Sequence, residues 1–281
     1  MRTNRVRLDQ LIVDRGLAES RSRAQSLLIG GRVRVGAGDA ARLDRKPGDL
    51  VDPATPVVAD APEPYVSRGG FKLAAALDAF GIDPAGRVCL DVGASTGGFT
   101  DVLLQRGARR VFAIDVGRGQ LAEALRHDAR VVSMERTNAR TLSPASLPEP
   151  VSLASVDVSF ISLRLVLTPI ASTFQDSGGD LVALVKPQFE AGRGETKAGV
   201  VRDPAIHARV LVEVAEAALA AGFEPLDAIA SPVLGPAGNR EFLLHLRVTP
   251  PAERERRAAA GGRLADELAA RLAAVARPDA A

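Results

Sequence analysis

Short apolar runs alternate with amphipathic segments along most of this chain, and this alternation limits the possible folds more than any other feature. After Gly81 the sequence favours strands at residues 87–92, 110–115, 130–134, 152–158 and 181–186, and helices near residues 98–106, 120–126, 163–174 and 204–221. Two further strands, 226–230 and 240–248, flank a turn at residues 234–238. Strands that alternate with helices form a mostly parallel sheet covered on both faces, so we expect an α/β domain.

The first 60 residues have a different pattern, typical of a small α+β unit. Leu8, Leu11 and Ile12 have helical spacing, and Ser20 is suited to cap a second helix. Apolar and basic residues then alternate over residues 32–35, which predicts a short strand, and a second β segment is expected at residues 50–51.

Prolines divide the chain. Four of them fall between residues 53 and 64, and that density suits a semi-extended linker. A helix is expected from Phe71 to Phe80, before the first strand. We therefore expect a small domain at residues 1–60, a linker at 61–70, the α/β domain at 71–250 and a helical extension at 251–281.

The charge is unevenly distributed. Residues 1–36 hold eight arginines and three acidic residues, a net charge of +5, whereas the remaining residues have a net charge of −3. Only four of the 36 basic residues are lysines, Lys46, Lys72, Lys186 and Lys197, so a lysine carries more information here than an arginine. The basic first segment is a candidate partner for a polyanion.

Several classes of protein are excluded by composition. One cysteine, Cys89, rules out a disulfide framework, and the three histidines lack the spacing of metal ligands. No apolar run approaches the roughly 18 to 20 residues that cross a bilayer, and the N-terminus lacks the apolar segment of a secretory signal. We therefore expect a cytoplasmic protein that does not bind membranes.

A glycine-rich turn follows the first strand of the α/β region. It reads Asp91-Val92-Gly93-Ala94-Ser95-Thr96-Gly97-Gly98-Phe99-Thr100 and leads directly into a helix. Small residues let a ligand approach the backbone, and Asp115, at the end of the second strand, is placed to bind ribose hydroxyls. Ser95 replaces the middle glycine of the dinucleotide motif. The alternative is a turn that serves packing alone.

Amines and acids are expected at the same edge of the sheet. Asp157 and Lys186 end two strands, and an antiparallel last strand would bring Glu241 to that edge. Lys72, in the helix before the first strand, could cover it. From the residues alone, a catalytic cluster and two structural ion pairs are equally good interpretations.

The glycine-rich turn resembles the S-adenosylmethionine loop of the FtsJ-like ribose methyltransferases. Five further blocks, in the same order, resemble the TlyA family of ribosomal-RNA 2'-O-methyltransferases, whose members are also described as hemolysins. The blocks begin at Val66, Glu135, Asp157, Val185 and Gly238 and read VSRG, ERTNAR, DVSFISL, VKPQFE and GNRE. The resemblance implies a Rossmann-like S-adenosylmethionine-dependent methyltransferase sheet preceded by a small RNA-binding domain.

The resemblance also implies roles for individual residues. Lys72, Asp157, Lys186 and Glu241 match the family's catalytic set. We expect neutral Lys186 to accept the proton of the 2'-hydroxyl; Lys72 and desolvation favour the neutral amine, and the carboxylates oppose it. Phe160 either contacts a ligand or belongs to the core. The residues expected to hold S-adenosyl-L-methionine are Asp91, Gly93, Ala94, Ser95, Gly97, Gly98, Phe99, Asp115, Val116, Thr137, Asn138 and Asp157.

The N-terminal unit resembles the S-four-like RNA-binding fold of a small-subunit ribosomal protein. This resemblance implies ribosomal RNA within ribosomal subunits as the partner, with a cytidine of one or both subunits as the target. We expect a monomer. Arginines at a helix start become favourable where a phosphate binds. The residues expected to contact RNA are Arg5, Arg7, Arg21, Arg23, Arg32 and Arg68.

Three alternatives belong to other classes. An RNA-binding protein with an inactive methyltransferase fold would keep the arginines, but the complete lysine and acid set disfavours it. A pore-forming hemolysin would need a membrane-inserting segment, which the sequence lacks. A nicotinamide-dependent oxidoreductase is disfavoured by Ser95 and by the RNA-type first unit.

Overall fold

The chain divides into two compact units, Met1–Pro64 and Tyr65–Ala281. The structure is a computed structural model that describes residues 5–38, 41–60, 63–192, 194–250 and 264–277.

The first unit packs two helices against two small β ladders. Helix α1 (Leu8–Asp14) and helix α2 (Arg21–Ile29) follow strand β1 (Val6–Arg7). Ser20 caps α2 by accepting a hydrogen bond from the Arg23 N–H at 3.2 Å, as the sequence predicts. The remaining strands are β2 (Val33–Val35), β3 (Leu50–Val51) and β4 (Val57–Ala59); β1 pairs with β3 and β2 with β4, both antiparallel.

The proline-rich segment is not only a linker. Residues 57–59, expected to be semi-extended, form strand β4, with Val35 paired to Val57 and Val33 to Ala59. Pro56 directly precedes this strand and does not interrupt its ladder, which is where sheets tolerate proline. Val57 is buried with the other apolar side chains of the unit, so β4 completes its core.

The second unit is built on one seven-stranded sheet, in agreement with the α/β expectation. Its strands lie in the order β10-β11-β9-β8-β5-β6-β7. All neighbours are parallel except that β11 runs antiparallel to both β9 and β10. The strands are β5 (Val88–Val92), β6 (Arg110–Ile114), β7 (Val131–Met134), β8 (Leu153–Val156), β9 (Gly179–Val185), β10 (Phe223–Ala230) and β11 (Phe242–Val248).

Helices cover both faces of this sheet. Successive strand residues point to opposite faces, so Cys89 packs with one apolar cluster and Leu90 with the other. The Cys89 side also contains α3 (Gly69–Phe80), α4 (Gly98–Gln105) and α5 (Glu123–Arg126). The Leu90 side contains α6 (Leu167–Ala171), α8 (Pro204–Ala220) and α9 (Asp266–Val275), and the short α7 (Pro187–Glu190) follows β9.

One helical prediction is changed by the structure, and a second lies partly outside the described residues. The helix expected at residues 163–174 is divided into a 3-10 turn, Leu163–Leu165, and α6, because Pro169 lacks an N–H and fits only in the first turn of a helix. The helix expected from Glu253 to Arg277 is described only from residue 264. There, Leu264, Leu272 and Ala276 are buried in the main apolar cluster of the sheet.

Candidate active site

The topology places the ends of three strands side by side. Strands β8 and β9 are parallel neighbours, so Asp157 and Lys186, which directly follow them, emerge at the same edge. The antiparallel β11 begins at that edge, where Phe242 pairs with Val185. Glu241 therefore lies beside Lys186, as the sequence predicted for an antiparallel last strand.

Lys72 and Glu241 form a buried ion pair at this edge. The Lys72 Nζ lies 2.5 Å from Glu241 Oε2, and the Glu241 side chain is fully buried. Lys72 projects from the first turn of α3 and is itself buried. A β-carbon on Gly235 would overlap the other carboxylate oxygen of Glu241, so the turn at residues 233–236 closes directly over the carboxylate.

Lys186 and Asp157 form a second ion pair next to the first. The Lys186 Nζ lies 2.5 Å from Asp157 Oδ1 and donates a hydrogen bond of 2.9 Å to Ser159 Oγ. The Lys186 side chain is 11% exposed and that of Asp157 is 23% exposed, so this pair is more open to solvent than Lys72 and Glu241.

All four residues line one cavity of about 300 Å³, which we call the lysine cavity. The remaining walls come from the start of α3, from the glycine-rich turn and from the turn at residues 233–236. The structure thus brings together two amines and two carboxylates that are spread over 169 positions of the sequence. The four side chains are mostly buried, and buried charges interact more strongly with one another than charges in water do.

The glycine-rich turn is tied to the end of β6. The Ser95 N–H donates to Asp115 Oδ2 at 2.8 Å, and the Gly117 N–H donates to Asp115 Oδ1 at 2.7 Å. Gly93 has a φ of 83°, and a β-carbon there would overlap the carbonyl of Asp157. Glycine at this position therefore lets the turn and Asp157 approach each other.

A second cavity of about 300 Å³, the glycine-loop cavity, lies on the other side of this turn. It shares Gly93, Ser95 and Asp157 with the lysine cavity, so the two are neighbours. Its walls combine apolar side chains with polar groups that can bind hydroxyls and ring nitrogens. The residues are Val92, Ile114, Val116, Ala139, Val158, Phe160, Ile161 and Val166, with Asp115, Gln120, Thr137, Asn138 and Ser159.

The predicted cofactor residues divide into two groups. Ten of the twelve line one of the two cavities. They are Gly93, Ala94, Ser95, Gly98, Phe99, Asp115, Val116, Thr137, Asn138 and Asp157.

Asp91 and Gly97 line neither cavity. The Asp91 carboxylate is fully buried and accepts hydrogen bonds from Thr100 Oγ1 at 2.7 Å and from Ser155 Oγ at 3.0 Å. Burial raises the pKa of Asp91 to about 6. Gly97 has a φ of 98°, and a β-carbon there would overlap Leu125. Both residues shape the turn from within.

Phe160 is not part of the core. It is 90% exposed, has a φ of 63° and packs against Phe189, with 5.1 Å between the ring centroids. Glu190 holds this loop, since its carboxylate accepts hydrogen bonds from Ser162 Oγ at 2.6 Å and from the Leu163 N–H at 2.7 Å. Burial raises the pKa of Glu190.

Sequence reasoning missed several residues of the site. Ser159 contacts Lys186, and its place two residues after Asp157 in a motif that returns to the same edge could have indicated this. Gln120 faces Ser95, with 3.2 Å between its Oε1 and the serine hydroxyl. The turn at residues 233–236 carries no charged or nucleophilic side chain. Its composition therefore indicates a turn but not that the turn belongs to the site.

In the first unit, Arg7 and Arg21 are engaged within the protein. The buried Asp9 accepts hydrogen bonds from Arg7 Nε and Nη2 at 3.0 and 2.8 Å, from Arg21 Nη2 at 3.2 Å and from Gln25 Nε2 at 2.9 Å. The Arg7 guanidinium, with these other donors, holds the pKa of Asp9 well below its usual range. Both arginine side chains are about half exposed, so each still presents N–H groups outward.

The other arginines expected to contact RNA differ in their surroundings. Arg32 is 28% exposed and pairs with Glu63 at 3.2 Å. Arg5 and Arg23 are exposed residues of the first unit. Arg68 belongs to the second unit, where it is exposed directly before α3 and lines the lysine cavity.

In the described part of the chain, no helix combines the length and apolar character needed to cross a membrane. Within the same ranges, no group of three or more histidine, cysteine, aspartate or glutamate side chains could hold a metal ion.

Comparisons with known proteins cover both units. A family model described as FtsJ-like methyltransferase matches residues 65–248, and one described as S4 domain matches residues 6–36. A Mycobacterium tuberculosis protein named 16S/23S rRNA (cytidine-2'-O)-methyltransferase TlyA is 49% identical over 246 residues, which are 86% of this chain and 90% of that protein.

Two further relatives carry a different description. Hemolysin A of Brachyspira hyodysenteriae is 39% identical over 242 residues, 85% of this chain and 99% of that protein. A solved structure from Streptococcus thermophilus, described as a hemolysin, superimposes with a TM-score of 0.67 at 43% identity and covers 92% of this chain and 96% of its own. The similarity therefore extends over both units in each case.

Proposed function

Because this chain belongs to the TlyA family of FtsJ-like methyltransferases that carry an S4 domain, we propose that it methylates ribosomal RNA. The reaction would move a methyl group from S-adenosyl-L-methionine to the 2'-hydroxyl of a cytidine. The observation that carries this proposal is the lysine cavity, where two amine–carboxylate pairs meet beside the glycine-rich turn.

The glycine-loop cavity has the chemistry that an adenosyl group requires. Apolar side chains such as Ile114 and Ile161 can cover a flat ring, and the Asp115 carboxylate can accept hydrogen bonds from ribose hydroxyls. Gly93 leaves the turn open beside Asp157. The bound donor supplies a methyl group on a sulfonium centre, which a ribose oxygen can attack once its proton is withdrawn.

Lys186 is placed to take that proton. As a neutral amine it accepts the proton of the 2'-hydroxyl, and the resulting ammonium is stabilised by Asp157 at 2.5 Å and by the Ser159 hydroxyl at 2.9 Å. Because these two partners are already in place, little reorganisation is needed when the proton arrives.

Lys72 and Glu241 perform a different task. Their ion pair is largely buried, so the Lys72 ammonium adds a fixed positive charge to the cavity and the Glu241 carboxylate holds it in place. The rate then depends largely on the positioning of the two substrates.

The first unit supports an RNA substrate. Its arginines lie in a segment with a net charge of +5, and contacts from arginine to phosphate account for much of the affinity of such domains. A target nucleotide within a folded RNA would be swung out to reach the cavity. A ribosomal substrate would place the protein in the cytoplasm, and we propose that it acts as a monomer on one or both subunits.

The hemolysin description of some relatives does not lead to a second proposal. It is a secondary label in the same family, and no helix within the described ranges is suited to cross a membrane. The two amine–carboxylate pairs would have no task in a pore.

The proposal is tested with labelled S-adenosyl-L-methionine and isolated ribosomal subunits that lack the modification. We expect label in the RNA of at least one subunit, and digestion to nucleosides should yield 2'-O-methylcytidine. Label on a base, on another nucleoside or on protein would contradict the proposed reaction. Absence of any transfer, with S-adenosyl-L-methionine binding demonstrated by calorimetry, would indicate an inactive methyltransferase fold.

A further inference from the structure

The Lys186 side chain has two polar neighbours in the described part of the chain. Its Nζ lies 2.5 Å from Asp157 Oδ1 and 2.9 Å from Ser159 Oγ. A lysine amine has three tetrahedral positions beyond its carbon. The hydrogen bond to Ser159 takes one of them, whereas Asp157 Oδ1 pairs with the amine by charge and accepts no hydrogen bond from it. The amine lines the lysine cavity.

On the basis of the function proposed above, we propose that Ser159 is a positioning residue that orients the Lys186 amine toward the ribose hydroxyl. A lysine side chain is long and flexible, and a single ion pair fixes its distance but not its rotation. The Ser159 hydroxyl supplies the directional contact, and together with the ion pair it determines where the remaining positions of the amine point.

The backbone around Ser159 is held in an unusual conformation. Phe160, the next residue, has a φ of 63°, a region that disfavours any side chain with a β-carbon. Glu190, which follows Lys186 by four residues, stabilises the loop through Ser162 and Leu163. The segment after Lys186 thus holds the loop that carries Ser159, so both partners of the 2.9 Å contact are fixed to one another.

A loop held in a strained conformation can fix the position of the Ser159 hydroxyl relative to the Lys186 amine. If Ser159 had no part in orienting the amine, a smaller side chain at this position would leave the reaction rate unchanged. If it orients Lys186, its hydroxyl must be retained whatever the size of the rest of the side chain. The two interpretations therefore predict different results for alanine and threonine.

The test compares Ser159→Ala with Ser159→Thr, in the full-length protein, by single-turnover methyl transfer to ribosomal subunits over a range of pH. We expect Ser159→Ala to slow the reaction at least tenfold and to leave the Kd of S-adenosyl-L-methionine within twofold. We expect Ser159→Thr, which keeps the hydroxyl, to recover most of the rate.

The pH profile separates orientation from packing. Lys186 is faced by Asp157, Ser159 and the Phe189 ring, and Lys72 and Glu241 line the same cavity. The hydroxyl stabilises the ammonium as an acceptor, so its loss in Ser159→Ala should let Lys186 release its proton more easily. The acidic limb of the rate profile should then move to lower pH, and threonine should restore it.

Ser162→Ala serves as the control, because it weakens the hold of Glu190 on the same loop and does not remove a contact to Lys186. It should not move the acidic limb. A wild-type rate in Ser159→Ala would overturn the inference, as would a slow Ser159→Ala whose acidic limb is unmoved and which threonine does not rescue. Transfer absent from the wild type would instead contradict the proposed function.

Discussion

Lys72 and Glu241 are in contact through a 2.5 Å ion pair although 169 positions separate them in the sequence. The contact joins the first turn of α3 to the residue before β11, so it connects the beginning of the α/β unit to its last strand. Because Glu241 is fully buried, the pair is part of the structure as well as of the site. This double role has consequences for stability and for activity.

Removing one partner of this pair should be costly. In Lys72→Met the Glu241 carboxylate would remain buried without a counter-charge, and we expect a loss of about 3 to 5 kcal/mol in the free energy of unfolding. The double variant Lys72→Met/Glu241→Gln should recover much of this stability and remain inactive. Urea unfolding of the two single variants and the double variant measures the coupling. Single losses under about 1 kcal/mol would show that the carboxylate is not held by Lys72.

Asp91 should make the protein less stable as the pH rises from 4 to 6. Burial raises its pKa to about 6, so the folded state retains a proton that the unfolded chain, with a pKa near 3.8, has already released. The folded state thus binds more protons in this interval, and the free energy of unfolding falls with pH, by on the order of 3 kcal/mol. Above pH 6 this contribution is constant.

The variant Asp91→Asn tests this assignment. It cannot titrate, so the fall in stability between pH 4 and 6 should be reduced relative to the wild type, as measured by thermal or urea unfolding at several pH values. Equal slopes in the two proteins would mean that Asp91 ionises normally in the folded state.

Gly93 should tolerate no side chain. Alanine there would combine a φ of 83° with overlap of the Asp157 carbonyl, so the turn or the aspartate would have to move. We expect Gly93→Ala to lose both stability and affinity for S-adenosyl-L-methionine, measured by calorimetry. Gly86→Ala is the matched control, since Gly86 also has a positive φ, of 71°, with open space around it. Equal effects in both variants would contradict a specific requirement at Gly93.

Arg23 is the clearest test of RNA binding by the first unit. It is exposed and forms no ion pair with the described residues, whereas Arg7 and Arg21 also stabilise the buried Asp9. Arg23→Gln should weaken binding to ribosomal RNA and reduce the slope of log K against log salt by about 1. Arg109→Gln, which alters an arginine of the second unit that is paired with Glu149, should leave that slope unchanged. An unchanged slope in Arg23→Gln would remove this residue from the interface.

Much of the fold could be predicted from the sequence because strong local signals agreed with the global arrangement. The apolar run before Lys186 and the small residues after Asp91 define strand ends whatever surrounds them. Strand β4 could not be predicted in this way, since its three residues have partners only in β2 and the nearby prolines suggested a linker. Pro169 likewise divided a helix that periodicity alone favoured.

The site was predictable where chemistry and strand ends coincide. Asp157, Lys186 and Glu241 each adjoin a strand, and an antiparallel β11 was sufficient to bring them together. The contact of Ser159 with Lys186 depends on the path of a loop with a positive φ at Phe160, which no periodicity encodes. The engagement of Arg7 and Arg21 by Asp9 also depends on tertiary packing, because α1 and α2 must meet first.

The most direct test of the proposed role of Lys186 is single-turnover methyl transfer by Lys186→Met, with S-adenosyl-L-methionine binding measured on the same sample. Methionine keeps most of the length of the side chain and removes the amine that is proposed to accept the proton. We expect a rate reduced by about 10² to 10⁴ with donor affinity within twofold of the wild type. An undiminished rate would contradict it and exclude Lys186 from the reaction.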